Sequence, residues 1–483
     1  MMANRAGVGG LLSMGLGNLR KKYVGDRAFY AMVFGVAVPI MIQNGITNFV
    51  SMLDNIMVGQ LGTDPMSGVA IVNQVLLVFN LCIFGGLSGA GIFTAQFVGK
   101  GDHQGIRQTV RMKVYIAAAS TALFALLFWL AGGELIRLFL HEGKEGLSLD
   151  ATFGYGMEYL HIMMIQMLPF AVTQIFSSTL REAGETIVPM RASMIAVGVN
   201  LVGNYILIFG KFGAPALGIA GAAIATVLSR FVECAILIVY SFRHKQRFPF
   251  FDRLFSSLNI EKSLALKMVR KGTPLLINEL LWSAGMTVLN QCYSLRGLEV
   301  VSSLNISSTI SNLFFCVAMA VGSTITILIG QHLGAGQLEE AVLDFKKIML
   351  LAVVLCTGIG VIMIVVAPLL AGIYNTTDTV KDLAARFLRI VGLFMPVIAY
   401  LNTCYFTLRS GGKTVITFLF DSGYTWVCMI PLAFVLTRLT SLPILPVYFL
   451  VSCMDLLKCV IGFFMVKSKI WVVNLVADQR MEE

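Results

Sequence analysis

The chain has 483 residues, of which 57% are hydrophobic and only 13% are charged. Soluble domains average roughly 45–50% apolar and about 25% charged residues, so this composition excludes a soluble enzyme, a disordered chain and a secreted disulfide scaffold. The net charge of +10 lies in an apolar chain, which is typical of cytoplasmic loops between membrane spans and not of nucleic-acid binding.

Twelve apolar segments are long enough to cross a bilayer, since a helix of about 20 residues spans the hydrocarbon core. The first is too long for the core of a cleaved signal peptide, so we predict that it stays in place. In chain order the segments cover residues 29–61, 67–98, 113–132, 157–180, 190–210, 217–241, 274–296, 303–331, 347–373, 387–408, 415–437 and 442–466. The sequence therefore predicts an all-α polytopic membrane protein with twelve transmembrane helices.

The basic residues are divided unevenly between the two sides of these spans. The loops on the side of the N-terminus carry 26 of the 36 Lys and Arg residues, and the opposite loops carry eight. Because basic loops stay in the cytoplasm, we predict a multi-pass plasma (inner) membrane protein with both termini cytoplasmic. The predicted domains are an N-terminal segment 1–28, an N-lobe 29–241, a basic cytoplasmic linker 242–273, a C-lobe 274–466 and a cytoplasmic tail 467–483.

The two halves of the chain repeat each other. A shift of 235 residues aligns Pro39–Gly101 with the second half without a gap, and a shift of 228 aligns Leu180–Thr186 with Leu408–Thr414. Matched pairs include Pro39 with Pro274, Gly62 with Gly297, Gly101 with Gly336, and Gly184 with Gly412. Six spans in each half give parallel repeats, a plan found among secondary transporters. We expect an N-lobe and a C-lobe that face each other across a central cleft.

Few ionisable residues lie inside the predicted spans, and a lipid-facing charge costs a few kcal/mol, so these residues are candidates for function. Asp421 lies in the inner part of span 11, where it can snorkel to the interface or pair with Lys413. Two further pairs have the i,i+3 spacing that favours mutual neutralisation on one helix face, namely Arg230 with Glu233 and Asp455 with Lys458.

Asp54 in span 1 differs from these, because no basic residue lies within one or two turns of it in the sequence. A buried carboxyl group without a partner binds a cation or takes up a proton. Asn200 and Asn204 in span 5 are four residues apart and share a helix face. Their amide oxygens suit Na+ or a protonated carboxyl, and the alternative role is hydrogen bonding between helices. Glu279 in span 7 is an acid with basic residues a few turns away.

Enzyme motifs are not found. The stretch Gly411–Thr414 resembles the end of a phosphate-binding loop, but position 407, where the first glycine would stand, is Thr407. The sequence has no H-E-x-x-H motif, and none of its nine cysteines forms a C-x-x-C pair. We therefore expect neither an enzyme nor a cofactor, and no ATP-driven transport.

The ordered set of motifs resembles the multidrug and toxic compound extrusion (MATE) transporters of the MOP flippase superfamily, over residues 30–465. The motifs are Asp54–Gly62, Ala95–Asp102, Leu180–Thr186, Asn200–Gly210 and Gly218–Thr226, together with Pro39. The resemblance implies a secondary active antiporter that exports organic, often cationic, drugs or metabolites in exchange for Na+ or H+ by alternating access. It also implies a small-molecule substrate, a coupling cation and a working monomer in the lipid bilayer.

The resemblance further implies roles for particular residues in the N-lobe. Asp54 matches the acidic residue of the family's first span, which serves cation or proton coupling. Asp54 is also the only expected site for Na+. Asn200 and Thr226 match polar residues of the same site. Asn204 stands where some members carry Asp, so the site has one carboxylate fewer.

A second expected site lies in the C-lobe. Glu279 matches the region where many members place an acid in span 7, and Asp421 and Asn402 are the other expected members of this site. The partner acid that some members have in span 10 is missing, since residues 398–407 offer only Asn402 and Thr403 as strong polar groups.

Two other functions remain open for this sequence. One is a lipid-linked oligosaccharide flippase of the same superfamily, although Arg230 and Lys458 are the only cations well inside spans. The other is a channel or receptor without coupling, which the duplication disfavours. Transport under an imposed Na+ or H+ gradient distinguishes the three.

Overall fold

The computed structural model describes residues 22–140, 148–374 and 376–477, and these contain helices and no β-strand. The predicted terminal segments lie outside the described residues up to position 21 and from position 478. Twelve long helices follow one another: α1 (Arg27–Gly59), α2 (Thr63–Lys100), α3 (His103–Arg137), α4 (Leu149–Glu182), α5 (Ile187–Phe209), α6 (Gly218–Arg243), α7 (Lys262–Ser294), α8 (Leu298–Gly334), α9 (Leu338–Gly372), α10 (Asp378–Ser410), α11 (Thr414–Arg438) and α12 (Ile444–Lys467).

Among the described residues, eleven of these helices are long and apolar enough to cross a membrane. The remaining helix, α7, corresponds to the predicted seventh span. It begins at Lys262, inside the predicted basic linker. Its first three turns are therefore rich in Lys and Arg, which lowers its apolar character. The rest of the linker contains a short 3-10 helix, Pro249–Phe251. The predicted fold class, all-α with two repeats of six helices, is confirmed.

The backbone repeats along with the sequence. Three pairs of glycines matched in the two halves adopt nearly the same positive φ: 118° and 120° for Gly62 and Gly297, 74° and 78° for Gly101 and Gly336, and 87° and 69° for Gly184 and Gly412. Glycine enters this region without the steric cost that a Cβ imposes. Glycines with a positive φ therefore mark matching helix ends in the two halves.

The molecule divides into two compact units. The first is Pro39–Ala284, and the described residues before and after it form the second. The boundaries fall inside α1 and α7 and not in loops. Pro39, which lies within α1, removes a backbone hydrogen bond from the helix at this point. The first unit contains α2–α6 whole, and the second contains α8–α12 whole.

In the first unit, glycines on α2 allow close helix packing. A Cβ at Gly85 would lie 2.9 Å from the Cα of Leu276 on α7, and a Cβ at Gly89 would overlap the backbone of Gly272. Small residues let helix backbones approach closely in membranes, where apolar packing against lipid gives no preference for association. The glycine face of α2 therefore fixes the first half of α7 against this unit.

In the second unit, α11 is not a regular α-helix. It is α-helical at Thr414–Phe418, π-helical at Leu419–Gly423 and Thr425–Met429, and α-helical again at Ile430–Arg438. Single π-helical turns are rare and often occur at functional sites. Asp421 lies in the first of these turns.

The segment after α12 packs onto the second unit. Trp471 is fully buried, and its indole nitrogen donates a hydrogen bond to the carbonyl oxygen of Val466 at 3.2 Å. Its ring lies 5.6 Å from that of Phe345 on α9. The described part of the predicted tail is therefore folded against the helices.

Candidate functional site

Asp54 is bound by an amide of α5. Its Oδ1 accepts a hydrogen bond of 2.7 Å from Nδ2 of Asn204, a residue that is 1% exposed. Asn200 lies one turn earlier on α5 and is also buried, and its side-chain amide lies 3.1 Å from Oγ1 of Thr226 on α6. Helices α1, α5 and α6 thus bring together Asp54, Asn200, Asn204 and Thr226, which we call the Asp54 cluster.

The amide of Asn200 also binds the carboxylate of Asp54. Its nitrogen donates to Oδ1 at 3.0 Å and to Oδ2 at 3.2 Å, and its oxygen accepts from Oγ1 of Thr226 at 3.1 Å. Two amides of α5 therefore donate to Asp54, which is the arrangement that an ionised carboxylate favours.

Asn204 contributes an acceptor that is not satisfied. Its Oδ1 is buried and accepts no hydrogen bond from the described residues. A buried polar atom without a partner costs about 1–3 kcal/mol, so this oxygen favours a ligand that supplies a positive charge or a proton. Carboxylate, amide and hydroxyl oxygens are hard ligands of the kind that Na+ takes. The oxygens of the cluster therefore fit an alkali cation as well as a proton.

Two further groups interact with Asp54. The positive charge of Arg230 on α6 attracts the carboxylate of Asp54. The negative charge of Asp54 also acts on Tyr159 of α4, which is 5% exposed. Arg230 forms the predicted pair with Glu233, with 2.9 Å between Nη1 and Oε2. The carboxylate of Asp54 thus lies near a cation that is already paired, which sequence distance did not indicate. Sequence reasoning missed Tyr159, for which a phenol inside an apolar span was the only signal.

The predicted pairing of Lys458 with Asp455 is corrected by the structure. Nζ of Lys458 on α12 lies 3.0 Å from Oδ1 of Asp421 on α11, and both side chains are largely buried. The π-helical turn places Asp421 beside α12, and Asp455 interacts with Lys458 through its charge only. The predicted alternative partner of Asp421, Lys413, is replaced in the same way. The shift of 228 residues also aligns Arg230 with Lys458, and Arg230 pairs with Glu233 on its own helix instead.

The other candidates of the expected C-lobe site belong to different units. Glu279 is half-buried in the first unit, where its Cγ would lie 3.2 Å from a Cβ placed at Gly85 of α2. Asp421 and Asn402 belong to the second unit, and Asn402 takes no part in the ion pair of Asp421. The structure therefore unites the four N-lobe candidates in one cluster and does not unite these three in one unit.

A buried ion pair in the first unit was not predicted. Nζ of Lys113 on α3 lies 2.6 Å from Oε2 of Glu182 at the end of α4. The same nitrogen donates to Ser178 Oγ at 2.9 Å and to Thr179 Oγ1 at 3.1 Å, so all three of its N–H groups are used. The lysine side chain is 0% exposed and the glutamate 12%. The only sequence signal was the position of Glu182 within the repeated motif Leu180–Thr186.

The chain contains two copies of a six-helix arrangement, and a carboxylate and amides are buried between helices long and apolar enough to cross a membrane. These features define a polytopic helical transporter. The family model MatE matches residues 39–206 and 274–435. Both matched segments begin at the repeated prolines, Pro39 and Pro274. The chain therefore belongs to the MatE family, the multidrug and toxic compound extrusion transporters.

Similar proteins carry matching names. The probable multidrug resistance protein NorM of Thermotoga maritima is 27% identical over 411 residues, which cover 85% of this chain and 86% of that protein. The NorM protein of Rhizobium meliloti, also described as a probable multidrug resistance protein, is 29% identical over 350 residues, or 70% of each chain.

Solved structures of the superfamily share the fold. One is described as the outward-facing conformation of a multidrug resistance MATE family transporter of the MOP superfamily, with a TM-score of 0.83, 18% identity and coverage of 92% of this chain and 96% of that chain. Another is a MOP superfamily transporter from Pyrococcus furiosus whose binding pocket is described as reversed in polarity, with a TM-score of 0.81, 17% identity and coverage of 93% and 97%.

Proposed function

We propose that this chain is a secondary active antiporter that exports organic, often cationic, compounds in exchange for Na+ or H+ through the Asp54 cluster. The observation that carries the proposal is the single carboxylate of Asp54, held by buried amides, beside the unsatisfied oxygen of Asn204. Family membership and the multidrug resistance names of the relatives support export of organic compounds. The transporter works as a monomer in the plasma membrane, with both termini cytoplasmic and alternating access.

Coupling requires that the cation change the preference between two conformations. A ligand shifts such an equilibrium only by its differential affinity, and a change from 1:99 to 99:1 needs about 5.5 kcal/mol. Binding of a monovalent cation neutralises Asp54 and weakens the hydrogen bonds that its charged carboxylate accepts from the amides of Asn200 and Asn204. The contact between α1 and α5 therefore depends on the bound cation.

Helix α1 contains a point at which it can respond to this contact. Pro39 lies about four turns before Asp54, and a proline inside a helix removes a hydrogen bond and favours a kink. A change in the bonds between Asp54 and α5 is thus able to bend α1 at Pro39. In this mechanism the charge of Asp54 selects the shape of α1, and that shape weakens or strengthens the binding of the organic substrate.

Purified protein in proteoliposomes tests the proposal. An imposed Na+ gradient at equal pH, and a pH gradient without Na+, are applied separately while uptake of fluorescent organic cations is followed. We expect one gradient to drive transport and Asp54→Asn to abolish it while the protein remains monodisperse. Asp150→Asn, the same substitution at an exposed position on α4, is the control and should transport normally.

Near-normal coupled transport by Asp54→Asn would show that the Asp54 cluster does not carry the coupling ion. Transport of a labelled lipid-linked oligosaccharide, with no movement of organic cations under either gradient, would show that the antiport proposal is wrong.

A further inference from the structure

A cationic cavity of about 650 Å³ opens on the first unit, between the start of α3 and the segment that connects α6 with α7. Its lining includes four basic residues, Arg107, Arg111, Arg253 and Lys262, and a single acidic residue, Glu261. The remaining lining residues are mainly hydroxyl and amide side chains. The Asp54 cluster is not part of this cavity, and the proposed transport mechanism does not use it.

Two arginines of α3 are held in place without losing their charge. Arg107 donates to the carbonyl oxygens of Asp252 at 3.0 Å and Pro249 at 3.1 Å. Arg111, one turn later, donates to the carbonyl oxygens of Leu254 at 2.9 Å and Asn259 at 3.0 Å. A neutral carbonyl fixes a guanidinium group but does not cancel its charge. Each arginine also keeps N–H donors that these bonds do not use.

The connecting segment forms a firm wall for the cavity. Phe250, Phe251 and Leu254 are 4%, 0% and 1% exposed, and the ring of Phe251 stacks on that of Phe176 of α4 at 5.7 Å. These apolar anchors and the arginine bonds both fix the segment to the helices of the unit. The cavity is therefore a built feature of the unit and not a gap beneath a loose loop.

The other two cations lie at the mouth of the cavity. Arg253 and Lys262 are exposed, and across the described residues none of the four cations forms a salt bridge with a carboxylate. Arg253 adopts a φ of 53°, a left-handed conformation that is costly for a residue with a Cβ. Lys262 is the first residue of α7, where the helix dipole disfavours a positive charge. The position of Lys262 at the start of α7 favours an anion at the mouth.

Exposed apolar side chains adjoin these charges. Phe255 is 51% exposed and Leu258 is 58% exposed, and both belong to the connecting segment. The hydroxyl group of Tyr115 on α3 donates to the carbonyl oxygen of Leu258 at 2.9 Å and ties this apolar end to the arginine face of the helix. Apolar and aromatic side chains next to cations are typical of the membrane interface, where lipid headgroups and acyl chains meet.

We propose that this cavity binds the phosphate group of an anionic phospholipid, with the acyl chains against Phe255 and Leu258. The four unneutralised cations supply the attraction, and the apolar edge favours a lipid over a soluble phosphate compound. Basic pockets at the membrane surface bind anionic headgroups, and each cation contributes about 1 kcal/mol, or about fivefold in affinity.

Delipidated full-length protein in a nonionic detergent tests this proposal. Binding of dioctanoyl phosphatidylglycerol, dioctanoyl phosphatidylcholine and inorganic pyrophosphate is measured by native mass spectrometry and by the shift in Tm. We expect phosphatidylglycerol to bind more tightly than the other two probes. The double variant Arg253→Gln/Lys262→Gln should weaken its binding about 25-fold, since two cations are removed.

Lys267→Gln is the matched control, because it removes an exposed cation of α7 that does not line the cavity. It should bind phosphatidylglycerol as the unmodified protein does. Equal losses in the control and the double variant, or no loss in the double variant, would overturn the site. Equal binding of phosphatidylcholine, or tighter binding of pyrophosphate, would overturn the assignment to an anionic lipid. A Tm without lipid equal to that of the unmodified protein shows that the double variant is folded.

Discussion

Replacing Lys113 by methionine is expected to destabilise the first unit by about 3–5 kcal/mol, because the substitution removes the lysine that forms an ion pair with the largely buried Glu182 carboxylate. At 2.6 Å between Nζ and Oε2, Coulomb's law gives an attraction of about 6 kcal/mol with an effective dielectric constant of about 20. This attraction offsets the desolvation of a lysine that is 0% exposed. Ser178 and Thr179 also lose a donor, although each keeps its own hydrogen bond to Ile175.

Thermal unfolding of purified variants in detergent measures this effect. A loss of 3–5 kcal/mol corresponds to a fall in Tm of about 10 °C for a unit of this size. The double variant Lys113→Met/Glu182→Met should recover much of the loss, since it removes both charges and fills a similar volume. Arg137→Met is the control, because its ion pair with Glu134 is 62% and 74% exposed and such pairs contribute about 0–1 kcal/mol.

The reasoning is refuted if Lys113→Met unfolds within a degree or two of the unmodified protein. It is equally refuted if the double variant loses as much stability as the two single variants added together, since coupled charges should not be additive.

Three further substitutions have defined outcomes. Lys458→Met should lower the thermal stability of the second unit by about 3–5 kcal/mol, and adding Asp421→Leu should restore most of it in the same unfolding assay. Gly411→Ala places a Cβ on a backbone carbonyl of the segment after α12 and should lower Tm far more than Gly101→Ala, which meets only the backbone strain of about 1–2 kcal/mol. Asn204→Leu removes the 2.7 Å hydrogen bond to the carboxylate of Asp54 and, if Asp54 couples transport as proposed, should reduce gradient-driven transport in proteoliposomes about 10–100-fold, with normal monodispersity.

The repeated architecture was predictable from sequence because it depends on local rules. Gly62 and Gly297 were matched by one register shift, and the structure gives them φ values of 118° and 120°. A glycine at a helix boundary can adopt a positive φ because it has no Cβ, and this preference needs no tertiary information. The number and order of the helices followed from apolar length in the same way.

The Asp54 cluster was predictable only in part. The spacing of Asn200 and Asn204 places them on one face of α5, but nothing local joins that face to Asp54, which lies about 150 positions earlier. That link came from the resemblance to a family. The orientation of the Asn200 amide and the unsatisfied oxygen of Asn204 depend on neighbours contributed by other helices, so sequence spacing does not contain them.

The partner of Lys458 shows where local reasoning fails. Asp455 has the favourable i,i+3 spacing on the same helix, which contributes only a few tenths of a kcal/mol. Asp421 lies across the helix interface at 3.0 Å in a largely buried position, where the attraction is stronger because solvent screens it less. The choice between these acids is made by tertiary packing.

The π-helical turns of α11 separate two α-helical segments whose side chains do not follow one continuous helical repeat. Each residue inserted into an α-helix rotates everything after it by about 100°. The side chains after Met429 therefore point in directions that a regular helix starting at Thr414 would not give them. A helical wheel drawn through the whole span therefore mixes residues of two different faces. An alignment predicts which way a residue of α11 points only within Thr414–Phe418 or within Ile430–Arg438. A relative that lacks the extra residues would present a different set of side chains from the same aligned positions.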